Sequence, residues 1–184
     1  MESIEQERWA RLMDAVRNVN GRPAAEQEAV SVAIERSRER TAGRMVWLAA
    51  RVVGALAVLA VGAVHLQQYE VLYSEIPTIG TLFILNFAGA TVLGLGLLAP
   101  LERLLGPRWG GAAVALLVLA AIGLAATAFA FLAIAEQTPL FGFMEPGYDP
   151  PAILASRVAE AVTVVSLGAF GIARFVARAP VGRW

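Results

Sequence analysis

Residues Gly110–Ala135 run for 26 positions without one charged side chain. Three further stretches have the same character. Met45–Val64 has 20 residues and one charge, Arg51, and Thr78–Ala99 has 22 residues and none. Ile153–Ala173 has 21 residues with Arg157 and Glu160 near its start. At about 1.5 Å per residue, roughly 20 apolar residues in a helix cross a hydrocarbon core of about 30 Å. Backbone groups meet no water there, so helix is the conformation that satisfies them. The expectation is an all-α chain, an integral membrane four-helix bundle with spans at about 45–64, 78–99, 110–135 and 153–173. Overall, 58% of residues are apolar and 16% charged, with a mean hydropathy of +0.63, which excludes an ordinary water-soluble globule.

Arginine placement gives the orientation. All fifteen basic residues are arginine, and thirteen of them fall before the first span, in Pro100–Trp109 or after the fourth span. The connections His65–Pro77 and Glu136–Ala152 contain none. The positive-inside rule makes the arginine-rich side cytoplasmic. The expected location is therefore the cell (plasma) membrane, multi-pass, with both termini inside. Fifteen acids balance the bases, so bulk charge gives no reason to expect a nucleic-acid partner. The absence of cysteine removes disulfides, thiol catalysis and iron–sulfur ligation.

Residues 1–44 read as a separate cytoplasmic segment of two short helices, residues 45–177 as the transmembrane domain and 178–184 as a short tail. In the first segment Trp9, Leu12, Met13, Val16 and Val19 recur at helical spacing and form one apolar stripe. Asn18–Pro23 breaks that helix, and Pro23 is placed to start a second over about Pro23–Thr41. The stripe calls for a cover: the second helix folded back, a partner protein or the membrane surface. Arg36, Arg38, Arg40 and Arg44 form a juxtamembrane anchor for an anionic leaflet.

Polar residues inside the spans are costly, at about 2.5–3.5 kcal/mol or more each. Glu160 lies at i,i+3 from Arg157, so a local ion pair is one expectation. Asn86 and Glu160 lie at similar depths from the outer side. A hydrogen bond between the second and fourth spans is thus a second expectation. A carboxyl at that depth could also handle a proton or cation. Arg51 is expected to run its stem along the helix and reach the inner headgroups. Small residues four apart, at Ala121/Ala125, Ala126/Ala130, Ala155/Ala159 and Ala169/Ala173, allow close helix approach within the bundle or between subunits.

The outer connections gather acids and tyrosines. His65, Tyr69, Glu70, Glu145 and Asp149 are candidate ligand or metal-binding residues, because imidazole and carboxylates ligate transition metals and carboxylates suit calcium. If the first helix continues outward, His65, Tyr69 and Tyr73 share a face. Acidic connections without arginine, with interfacial tyrosines, are equally what the positive-inside rule and an aromatic belt produce.

The run Ile76–Asn86 (IPTIGTLFILN), preceded by His65, Leu66 and Tyr73 and followed by Phe141–Pro150 (FGFMEPGYDP), resembles a family of uncharacterised actinobacterial four-helix integral membrane proteins. The resemblance covers about Met45–Ala173. It implies a four-helix membrane fold with an ordered third connection around Glu145 and Gly147, and no activity.

The sequence contains no nucleophile–base pair and designates no catalytic residue or cofactor. The leading expectation is a non-enzymatic protein of the lipid bilayer. It would assemble with itself or a membrane partner through Trp9, Leu12, Met13 and Val16 and through the small-residue faces. The alternative is a small ion-linked transport or ligand-binding bundle built on Glu160, Asn86 and the outer acids.

Overall fold

A computed structural model describes residues 2–20 and 23–176. Among them every regular element is helical and there is no β-strand. The elements are α1 (Glu2–Asn20), α2 (Ala24–Val71), a 3-10 turn (Tyr73–Glu75), α3 (Pro77–Leu98), the single turn α4 (Leu101–Leu104), α5 (Gly106–Ala135) and α6 (Pro150–Val176). Four of these, α2, α3, α5 and α6, are long and apolar enough to cross a membrane. The chain divides into two compact units, Met1–Met45 and Val46–Trp184.

In the first unit, the stripe on α1 has no cover among the described residues. Trp9, Leu12, Met13 and Val16 are all more than half exposed. The Val19 side chain and the tail 178–184 lie outside the described residues. Pro23 stands just before α2, and its carbonyl accepts the first turn's N–H groups of Glu26 and Gln27 at 2.9 and 3.1 Å. The sequence led us to expect a helix ending near Thr41 and a new one at Met45. Instead, α2 is one continuous helix through both. The physical reason is that Thr41–Ala42–Gly43 contains no proline, and Thr41 returns its hydroxyl to the Ser37 carbonyl at 2.9 Å. One glycine costs about 1 kcal/mol, less than closing and renucleating a helix.

Helix ends in the second unit follow proline. Ile76, ahead of Pro77, is extended (φ −101°, ψ 101°), as is Ala99 ahead of Pro100 (φ −67°, ψ 144°). Gly106, at φ +78°, turns the chain from α4 into α5. Phe141 and Gly142, both at positive φ, form the centre of a tight turn. There Leu140 and Phe143 exchange backbone hydrogen bonds of 2.7 and 3.0 Å. Asp149 starts α6 by accepting the Ala152 N–H on its side chain.

The four long helices of this unit share one buried cluster: Ala55 and Val58 from α2, Ala90 and Leu97 from α3, Val114, Val118 and Ala121 from α5, and Leu167 and Phe170 from α6. Trp47 packs on Phe170 with ring centroids 5.6 Å apart. Of the expected small-residue pairs, Ala121 and Ala125 are buried, whereas Ala126, Ala130, Ala155, Ala169 and Ala173 are exposed. Between α2 and α3, glycines leave room for close contact. A Cβ at Gly94 would lie 2.5 Å from Leu59 and 3.1 Å from the Ala55 carbonyl, and one at Gly62 would lie 2.9 Å from Ala90. The outward faces are apolar: Val92, Leu116, Leu119, Val165 and Ile172 are each more than two-thirds exposed.

Candidate functional site

Two polar constructions occupy opposite ends of α3. The first surrounds Arg51, whose guanidinium is buried. Its Nε donates to the Leu97 carbonyl at 2.7 Å and Nη2 to the Ala99 carbonyl at 2.9 Å. These carbonyls belong to the C-terminal end of α3, where helix geometry leaves the last carbonyls short of partners, although the Ala99 carbonyl also accepts the Leu101 N–H at 2.9 Å. Its Nη1 meets Glu102 at 3.2 Å, and Arg174 donates to the other oxygen of the same carboxylate at 2.9 Å. The reading of Arg51 as a side chain reaching for headgroups is therefore corrected. The unsatisfied helix end and Glu102 lie within reach and capture the fork. Partial burial disfavours the Glu102 anion, but hydrogen bonds from Arg174, its own backbone and Arg51 outweigh that. They hold the carboxyl below the usual glutamate range.

The second construction is a cavity of about 400 Å³ toward the Tyr73 end of α3, within the range of about 300–1,000 Å³ typical of small-molecule sites. Its walls come from the C-terminal end of α2, the turn at Tyr73, the first half of α3, the second half of α5, the connection after α5 and the first turns of α6. They are mainly apolar and aromatic, with Phe83, Phe131 and Phe143 among them. Glu160 and Asn86 also line it.

The two expectations for Glu160 are both corrected. It does not pair with Arg157, whose guanidinium bonds to Glu136 at the end of α5. Arg157 and Glu136 are each about one-third exposed, so that pair keeps much of its water, whereas Glu160 is 1% exposed. Drawing the guanidinium inward to Glu160 would cost its hydration. Nor does Glu160 bond to Asn86. One carboxylate oxygen accepts the Ser156 hydroxyl at 2.8 Å, while Oε2 is buried with no partner. Asn86 Oδ1 is likewise buried and unpartnered. Two orphaned oxygens in one cavity wall are uncommon, because buried polar atoms are nearly always satisfied.

His65 also lines the cavity, with its ring 4.9 Å from Phe83. Its Nδ1 is 2.8 Å from the Val61 carbonyl. A carbonyl only accepts, so Nδ1 carries the proton and Nε2 is left as an acceptor in the neutral ring.

The connection from Glu136 to Asp149 closes one side. Glu145 is buried; it accepts the Tyr73 hydroxyl and the N–H groups of Gly147 and Tyr148 at 2.9 and 3.1 Å. Gln68 donates to Asp149 at 2.8 Å. Burial first, and then the hydrogen bond to Glu145, push the Tyr73 phenol well above the ordinary tyrosine range. Tyr73 stacks on Phe83 at 4.7 Å and meets Phe143 edge-on at 5.6 Å.

The expected shared face of His65, Tyr69 and Tyr73 is not formed, because α2 ends at Val71 and Tyr73 sits in the following turn. Tyr73 nevertheless reaches Phe83 from there, as His65 does from α2. Glu70 is exposed. Among the described residues no three His, Asp or Glu side chains gather as a metal site. Instead the structure pairs Glu145 with Tyr73 and Asp149 with Gln68.

Sequence reasoning missed Gln68, Ser156 and the Tyr73–Glu145 contact. The i,i+4 spacing of Ser156 and Glu160 was the one local signal available.

Compared with known proteins, the chain matches no family model, no curated protein and no solved structure.

Proposed function

We propose that this chain is a multi-pass protein of the cell membrane whose four-helix bundle binds a small amphiphilic molecule in the cavity beside Glu160. Three features support the membrane setting. Four helices have the necessary length and composition. Their outward faces carry large exposed apolar side chains that water would penalise. Thirteen of fifteen arginines fall on one side of the spans, which under the positive-inside rule supports cytoplasmic termini. The resemblance of Ile76–Asn86 and Phe141–Pro150 to four-helix membrane proteins points the same way.

The ligand reading rests on one observation, the unpartnered Glu160 Oε2 and Asn86 Oδ1 in a mainly apolar cavity. It places the alternative of a ligand-binding bundle ahead of simple assembly. The test is ¹⁹F NMR of 2-(4-fluorophenyl)ethanol added to the protein in lipid nanodiscs, with empty nanodiscs as control. The wild type should broaden and shift the resonance beyond the control. Gly123→Leu should abolish the effect, because Gly123 lines the cavity and a Cβ there meets nothing within 4 Å. Equal spectra with wild type and Gly123→Leu would refute the cavity reading.

A second reading has its own observation. The stripe Trp9, Leu12, Met13 and Val16 is exposed. It supports assembly with a second copy or a membrane partner. Trp9→Glu with Leu12→Glu should then convert a native-mass-spectrometry dimer, or a complex with a co-purified protein, to the monomer. Unchanged stoichiometry would refute it.

A further inference from the structure

The cavity assigned above to an amphiphile has a definite electrostatic preference, and we infer that its ligand is an organic cation, a protonated amine on an apolar body. The inference rests on the cavity reading and narrows it to one chemical class.

The polar atoms left over in the wall are mainly acceptors, set against two donors, the Asn86 amide NH2 and the Thr127 hydroxyl. Glu160 Oε2 and Asn86 Oδ1 have no partner. His65 presents Nε2 once Nδ1 has donated to Val61. Among the described residues no arginine lines the cavity, although two carboxyl groups do. Those two carboxyls differ. Glu145 is satisfied by a phenol and two backbone N–H groups. Glu160 has a single serine hydroxyl, and its neighbour Arg157 is committed to Glu136. An anion entering here would face the Glu160 carboxyl with no guanidinium in the cavity wall to receive it, and a neutral alcohol offers one donor to several acceptors. An ammonium group offers three donors and the missing charge.

The apolar walls fit the same guest. Phe83, Phe131 and Phe143 line the cavity, and aromatic faces attract cations as well as apolar stems. The cavity also reaches the surface. Leu85 is 61% exposed, and Gly123 and Thr127 are exposed, yet all three line it. These positions lie eight residues or more in from the nearer ends of α3 and α5, at a depth that the membrane reading assigns to lipid. A cationic amphiphile dissolved in the leaflet can therefore enter sideways with its apolar body still in hydrocarbon.

The test compares three probes of nearly one shape by ¹⁹F NMR with nanodisc-embedded protein at neutral pH: 4-fluorophenethylamine, 2-(4-fluorophenyl)ethanol and 3-(4-fluorophenyl)propionate. Each titration is corrected with empty nanodiscs of the same zwitterionic lipid. The inference predicts that the amine binds at least tenfold more tightly than the alcohol, and that the propionate binds more weakly than either. Glu160→Gln, which keeps shape and hydrogen bonding, should cost the amine at least tenfold and change the alcohol less than threefold. The wild-type ranking stands without the variant, so a folding defect in Glu160→Gln leaves the test intact. Alcohol and amine binding alike would overturn the cation assignment and leave the cavity reading standing. Amine affinity unchanged in a folded Glu160→Gln would overturn it too. No probe binding above the empty nanodisc would overturn both.

Discussion

Arg51→Met removes a guanidinium while keeping much of the apolar stem. In the structure that group satisfies two carbonyls at the end of α3, at 2.7 and 2.9 Å, and one oxygen of Glu102 at 3.2 Å. Leaving a buried acceptor unmet costs about 1–3 kcal/mol, and that cost falls on the Leu97 carbonyl, because the Ala99 carbonyl keeps the Leu101 N–H at 2.9 Å. Glu102 adds little, because it keeps Arg174 and is about one-third exposed. The lost bond to Ala99 adds a little and the retained stem packing offsets part of the total, and we expect a loss of about 2–3 kcal/mol. Arg51→Lys should recover less than half of that, since an ammonium cannot reproduce a planar fork directed at three acceptors. Arg174→Met should cost only about 1 kcal/mol, because it gives up one partly exposed ion pair and a ring contact to Phe170 at 5.9 Å. The assay is equilibrium unfolding in mixed micelles with rising SDS fraction, followed by circular dichroism. A loss below about 1 kcal/mol for Arg51→Met would refute the account and restore an arginine that merely reaches for headgroups.

Four further outcomes follow from the packing and the charges. Gly94→Val should destabilise by about 1–3 kcal/mol in the same assay, because a Cβ there meets Leu59 at 2.5 Å, whereas Gly168→Ala, with nothing within 4 Å, should not destabilise. The Glu102 carboxyl is depressed in the folded state. Its contribution to stability is therefore present above about pH 4.3 and lost as pH falls through the folded value, and Glu102→Gln should flatten that acid limb of the unfolding curve. Tyr73 is shifted the other way, so its contribution is present below about pH 10 and lost as pH rises through the folded value. Tyr73→Phe should remove that alkaline dependence and speed amide hydrogen exchange at Gly147 and Tyr148, and unchanged exchange would show that Glu145 holds the connection without the phenol.

The parts legible in the sequence were those that depend on long runs of one character. The absence of charge in Gly110–Ala135 and Thr78–Ala99 marked α5 and α3 to within a few residues, and prolines 77, 100 and 107 marked where the chain must bend. The continuity of α2 was harder to see. A cluster of charges followed by one glycine resembles a boundary, but nothing there prevents the next helical hydrogen bond.

At the site, Glu160 and Asn86 were legible because polar groups in apolar runs are conspicuous. Their partners were not. The sequence shows that Arg157 lies three residues from Glu160, but it does not show that the end of α5 brings Glu136 closer to solvent and to Arg157. Nor can spacing reveal empty volume. The cavity exists because α2, α3, α5 and α6 pack around Ala55, Val58, Ala90 and Val118 toward the other end, while bulky rings hold the walls apart beside Tyr73. Gly62 and Gly94, which leave room for close contact between α2 and α3, passed as ordinary members of apolar runs.

The account depends most on the claim that the exposed apolar faces lie in lipid. A spin label placed at each residue of α3 from 78 to 97, and at Ser74 as a reference in the preceding turn, reports collisions in nanodiscs with lipid-soluble oxygen and with a water-soluble nickel chelate. The account predicts oxygen maxima at Leu85, Val92 and Leu95, minima at Ile79, Ala90, Gly94 and Leu97, a helical period between them, and no nickel access at Val92. Nickel access at Val92 equal to that at Ser74, or an oxygen profile without that period, would contradict it.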